Sequence, residues 1–85
     1  MIVFIDRAKK LLHQIDVSLI EEEYDLVEIN AQVLLNLLKE NQNEALEHKI
    51  FLENKLLYLD KITSRFKEQT QEMLKLLNSL PCNEQ

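Results

Sequence analysis

Glycine and tryptophan are absent from this 85-residue chain, and proline and cysteine occur once each. Each scarcity closes a route. A phosphate-cradling loop needs backbone without a Cβ against the anion, so a chain with no Gly has neither a P-loop nor a dinucleotide fingerprint. With no Gly and one Pro there is no inexpensive way to turn a β-hairpin. Leu, Glu, Lys, Gln and Asn dominate instead, and the chain is expected to be almost wholly helical. The single Cys82 excludes an intrachain disulfide framework and gives no sign of an oxidising compartment. Because it follows Pro81 in what reads as a frayed tail, Cys82 is expected to be an exposed, free thiol.

Long apolar runs are missing too. Met1–Ile5 is apolar but is cut short by Asp6 and Arg7, without the basic start, apolar core and small-residue cleavage site of a signal peptide. No stretch approaches the ~20 apolar residues of a membrane span. A cytoplasmic protein with no membrane partner is the expectation. Basic charge is also short. The formal net charge of −5 argues against nucleic acid as a partner, which calls for a basic face to displace counterions. The acidity is uneven: residues 1–43 carry eight acids against four Lys or Arg, whereas 44–80 balance six against six.

What the chain has in abundance is helical periodicity. From Glu44 to Leu80 there is neither Gly nor Pro. Written as heptads, the d positions are Leu52, Leu59, Phe66, Met73 and Leu80, and the a positions are Leu56, Thr63, Thr70 and Leu77, widened by Ile62 and Leu76. This predicts one helix over 44–80, a rod of roughly 55 Å at 1.5 Å per residue. Phe4, Ala8, Leu11, Ile15 and Leu19 repeat at helical spacing and predict a first helix over 2–20. Glu21–Glu23 oppose the dipole of a helix C-terminus, which predicts a break or kink near 21–25; the alternative is one helix running straight through, which propensity alone does not forbid. Asp25 with Glu28 has the pattern of an N-cap plus N3 acid, and Tyr24 with Ile29 has the spacing of a hydrophobic staple.

The second helix, 25–40, is apolar over more than half its circumference. Leu26, Ile29, Val33 and Leu37 form one stripe; Val27, Ala31, Leu34 and Leu38 form another, with Leu35 between them. A helix this apolar is either central in a bundle or covered by a second molecule. Residues 40–43 are expected to be the next turn, with Asn41 taking left-handed angles where Gly is absent, and Asn41 with Glu44 has the pattern of a capping box for the long helix. The fold class expected is all-α. Residues 1–40 would fold back antiparallel along the rod as a helical hairpin or three-helix bundle with one long C-terminal helix, and dimerisation would make a four-helix or larger bundle. The whole of 1–85 reads as one domain.

Chemistry is sparse. His13, His48 and Cys82 are the soft metal ligands, with no CxxC or HxxxH spacing, and read as two solvated histidines and an incidental thiol. Neither His has Glu three residues before it, so the di-iron bundle pattern is missing. The Glu21–Glu23 run reads as a solvated turn. Narrow helices leave little room for a desolvating pocket, so the chain reads as no enzyme, without catalytic residues, metal or cofactor. Thr63 and Thr70 either bond back to their own helix carbonyls or keep the seam from becoming a strong homodimeric coiled coil.

Phe4-Ile5-Asp6-Arg7, then Leu11-Leu12, then Glu23-Tyr24-Asp25-Leu26 opening an apolar helix, then a Leu-rich helix from Leu52 to Leu80, resembles the FliT-type flagellar export chaperones over about 1–80. Tyr24 stands where that family commonly has Trp. The resemblance implies a small cytoplasmic chaperone that binds the C-terminal helical region of a secreted filament-cap-like protein. Such a chaperone prevents premature assembly of its client and delivers it to the export apparatus, with contacts to the export ATPase complex or a regulator. The client surface it implies is the apolar second helix. Many members continue past Pro81 into a segment that folds back over that surface, which is therefore expected to be bare here. Val27, Ala31, Leu34, Leu35 and Leu38, with Phe66 and Met73 from the rod, are the expected partner-binding residues. A homodimeric helical adaptor and a co-chaperone of a virulence-type secretion system are the alternative readings.

Overall fold

The computed structural model describes residues 3–80; Met1, Ile2, Pro81 and the expected free thiol of Cys82 lie outside them. Among the described residues there are five helices and no strand: α1 (Phe4–Ile20), α2 (Tyr24–Glu40), α3 (Gln42–Glu47), α4 (Lys49–Ile62) and α5 (Lys67–Ser79). The fold is all-α, as the composition implies.

The first break falls where the acidic run places it, and its geometry explains how a chain without Gly turns. Glu22 has φ 60°, in the left-handed region. The Glu22 N–H donates to the Leu19 carbonyl at 3.2 Å and the Glu23 N–H to the Ser18 carbonyl at 2.8 Å. These are the paired bonds of a Schellman motif, which satisfy carbonyls that the end of α1 leaves open. Helix α2 then starts two residues earlier than the capping pattern suggests. Glu23 is its N-cap residue, with no side-chain cap bond, and Asp25 lies inside the first turn. The staple is absent as well, since Ile29 points to solvent at 56% exposure. With the Schellman bonds setting where α1 ends, only three residues separate the two helices, and that leaves no room for a separate N-terminal box.

The rod expected over 44–80 is broken. Its length of roughly 55 Å exceeds the longest dimension of the domain, 43 × 30 × 17 Å. At His48 the helix kinks: the His48 N–H is shared between the Glu44 and Ala45 carbonyls, while its own carbonyl already accepts from Leu52. Between α4 and α5 it turns outright. Thr63 is extended (φ −156°, ψ 150°), and its Oγ1 accepts the Arg65 N–H at 3.1 Å, an alternative to helical bonding that β-branched hydroxyl residues offer the backbone. Helix α5 thereby returns against both α4 and α2. Thr70 behaves as the back-bonding reading expects, its hydroxyl donating to the Phe66 carbonyl at 3.1 Å. Asn41 does not adopt left-handed angles. Its Nδ2 donates to the Leu37 carbonyl at 2.9 Å, closing the end of α2 from outside.

The heptad stripe survives the breaks. Leu52, Leu56, Leu59, Phe66, Thr70, Met73, Leu77 and Leu80 are all buried in the same core as Phe4, Ala8, Leu12 and Ile15 of α1 and the inner face of α2. Helix α1 packs along α2, α2 along α5, and α5 along α4. The ring closes where Lys9 Nζ of α1 lies 5.4 Å from the centroid of the Phe51 ring of α4. Helices α2 and α4 therefore stand across the core from each other.

Candidate functional site: the outer faces of the helices

Every residue expected to bind a partner is core. Val27, Ala31, Leu34 and Leu38 are fully buried, Leu35 is 1% exposed, Phe66 2% and Met73 0%. The physical reason is that α2 has two neighbours, α1 and α5, and the broad arc from Val27 to Leu38 through Leu35 is the side that can cover both. In the folded monomer these seven side chains offer no contact surface.

The apolar excess on α2 is nonetheless real, and it lies on the other stripe. Leu26, Ile29 and Val33 are 45%, 56% and 42% exposed. They stand at i, i+3 and i+7, one ridge of the helix, whereas Leu37 at the end of that stripe is buried. Asp25, Glu28, Gln32 and Asn36 border the ridge, with the Gln32 amide donating to Asn36 Oδ1 at 3.2 Å. Beside it runs an open groove between α2 and α5, lined by Asp25, Glu28, Ile29, Gln32 and Gln69. Glu28 and Gln69 also line its continuation past Arg65 and Phe66 at the α4–α5 turn. At the mouth of that turn the Arg65 guanidinium stacks 3.9 Å from the centroid of Tyr24, a cation–π contact that ties the turn to the start of α2.

Helix α4 carries a second apolar face. Ile50, Leu57, Tyr58 and Ile62 are 75%, 55%, 54% and 48% exposed. A helix that buried only its seam would show polar residues here. The periodicity that revealed the seam passes over Ile50, Leu57 and Tyr58. Ile62, expected to widen the seam, faces outward because the chain leaves the helix at Thr63 directly after it.

Among the described residues no group of three His, Cys, Asp or Glu side chains converges as a metal site. His13 is exposed on α1, as expected, in a cleft with Lys9, Asp16, Phe51 and Lys55. His48 is not solvated as expected; it is half-buried at the kink, its ring 6.4 Å from that of Phe4. Such a position makes it part of the join between α1 and α3–α4. No helix of the described residues is long and apolar enough to cross a membrane.

No family model matches the chain, and no curated protein or solved structure matches it.

Proposed function

We propose that this protein is a helix-binding chaperone of the flagellar export type, cytoplasmic and without enzymatic activity, whose client lies along the outer ridge of α2 and the groove between α2 and α5. The observation that carries the reading is the ridge itself, three large apolar side chains more than 40% exposed on one helix face. An amphipathic client helix would lay its apolar side on Leu26, Ile29 and Val33, the helix-in-groove mode of recognition. Its flanking cations would meet Asp25 and Glu28, and Gln32 and Gln69 would set its register. The resemblance of the Phe4–Arg7 and Glu23–Leu26 segments to the flagellar chaperones supplies the class of client, the C-terminal helical region of a secreted cap-like protein.

The chain has no Trp, so a cap-protein C-terminal peptide carrying one Trp reports its own binding by fluorescence. Ile29→Asp and Val33→Asp are expected to keep the wild-type melting temperature within a few degrees, being changes at exposed positions, and to abolish the fluorescence change. Leu34→Asp places a charge in the core and is expected to unfold the protein. Folded Ile29→Asp and Val33→Asp variants that bind the peptide as the wild type does would remove the client from this ridge.

A further inference from the structure

The two exposed apolar faces differ in charge. On α4 the exposed positions are Ile50, Asn54, Lys55, Leu57, Tyr58, Lys61 and Ile62, with no acid among them. Lys61 stands amid the apolar residues, and Lys55 at the edge where the cleft to Asp16 of α1 begins. The acids of that helix, Glu53 and Asp60, are half-buried, and Asp60 is engaged by Lys67 at 3.3 Å. On α2 the ridge is bordered by Asp25, Glu28 and Glu40, and the one base, Lys39, faces Glu72 at 3.9 Å. One face is apolar with lysines, the other apolar with carboxylates.

We propose that the outer face of α4 is the docking surface for the outer face of α2 on a second copy of this chain, joined head to tail. Charge decides between the possible self-pairings. Two α4 faces would set Lys55 and Lys61 against lysines, and two α2 faces would set Asp25 and Glu28 against acids; like charges across an interface suppress association. The mixed pair opposes lysines to carboxylates while covering Leu26, Ile29 and Val33 of one copy and Ile50, Leu57, Tyr58 and Ile62 of the other. The fold decides the symmetry. Because α2 and α4 stand across the core, their outer faces point away from each other, and the contact cannot close as a two-fold dimer. A heterologous contact of this kind grows into an open chain or a ring. One face of α4, 14 residues and so about 21 Å long, falls short of the ~800 Å² per partner of a standard interface. Association is therefore weak and concentration-dependent, and salt screens its exposed charges. The proposal is independent of the client reading. If both hold, self-association covers the client ridge and a client helix competes with it.

The test uses sedimentation of the full chain, without any client, over a roughly hundredfold concentration range at low and high salt, since salt should weaken the charged part of the contact. The weight-average mass is expected to rise with concentration beyond that of a dimer and to fall at high salt. Two face variants then fix the geometry: Leu57→Glu with Lys61→Glu on α4, and Ile29→Asp with Val33→Asp on α2. Each is expected to be monomeric alone, and their mixture to stop at a one-to-one heterodimer, because each retains the face the other lacks. Helix content by circular dichroism checks folding. Lys55→Glu with Lys61→Glu, which leaves every apolar group in place, repeats the α4 arm if the first variant is unfolded. A wild-type chain that stays monomeric at the highest concentration overturns the proposal. So does an α2-face variant that still self-associates, since that assigns the contact to paired α4 faces. Binding of the α4 face to anionic vesicles without self-association also overturns it, assigning the face to a membrane surface.

Discussion

The two turns that shape this domain reach the same end by different means. Between α1 and α2 the chain reverses through Glu22 in the left-handed region, held by a Schellman pair. Between α4 and α5 it reverses with no positive φ among the described residues of the turn, using an extended Thr63 whose hydroxyl takes the place of a helical carbonyl for Arg65. The first turn carries strain that a Gly would relieve. The second carries none, and rests on one side-chain oxygen and on Phe66, which enters the core directly after it at 2% exposure. A turn marked by a run of like charges is thus the less comfortable of the two, and the unmarked one is anchored by the core.

The largest effect expected from breaking this contrast is at the anchor. Phe66→Ala removes a buried ring shared by α4, α5 and the core, and should cost about 3–5 kcal/mol. That is a large part of the stability of so small a domain, and urea titration would read it. A loss below about 1 kcal/mol would mean that the turn is held by something other than Phe66.

Next comes the hydroxyl. Thr63→Val keeps the β-branched preference for extended backbone but deletes the acceptor for the Arg65 N–H, and should cost about 1 kcal/mol. On a domain of this length that corresponds to a melting temperature lower by about 4–8 °C. An unchanged melting temperature would show that the oxygen merely decorates the turn.

Of similar size but opposite sign is Glu22→Gly. Left-handed angles cost an L-residue roughly 1–2 kcal/mol and Gly almost nothing, so after the greater chain entropy of Gly is allowed for, a gain of about 0.5–1 kcal/mol is expected. Arg65→Gly should show no such gain, since no left-handed position exists there and the stacking on Tyr24 is lost. Thermal melts of the pair, differing in sign, would sharpen the comparison; melts of the same sign would collapse it.

The smallest effect belongs to the Lys39–Glu72 pair that links α2 to α5. At 3.9 Å with both side chains at least half exposed, it is a solvated ion pair, and Lys39→Ala should shift stability by less than about 0.5 kcal/mol.

The helical class, the break after Ile20, the turn at Asn41 and the a/d seam from Leu52 to Leu80 were legible in the chain, because composition and the 3.6-residue period report on each local segment by itself. The rod was not. Thr63 and Ser64 are tolerable in a helix, and Phe66 and Met73 stay in register across the break, so periodicity reads straight through it. The candidate site was legible in kind but not in place: the apolar surplus of α2 was visible, and the wrong one of its two stripes was expected to face outward. Period assigns residues to faces and says nothing of which face meets a neighbour. That was decided by tertiary structure alone. Once the turn at Thr63 brings α5 back beside α2, the Val27–Leu38 arc must cover two helices, and Leu26, Ile29 and Val33 are left in water.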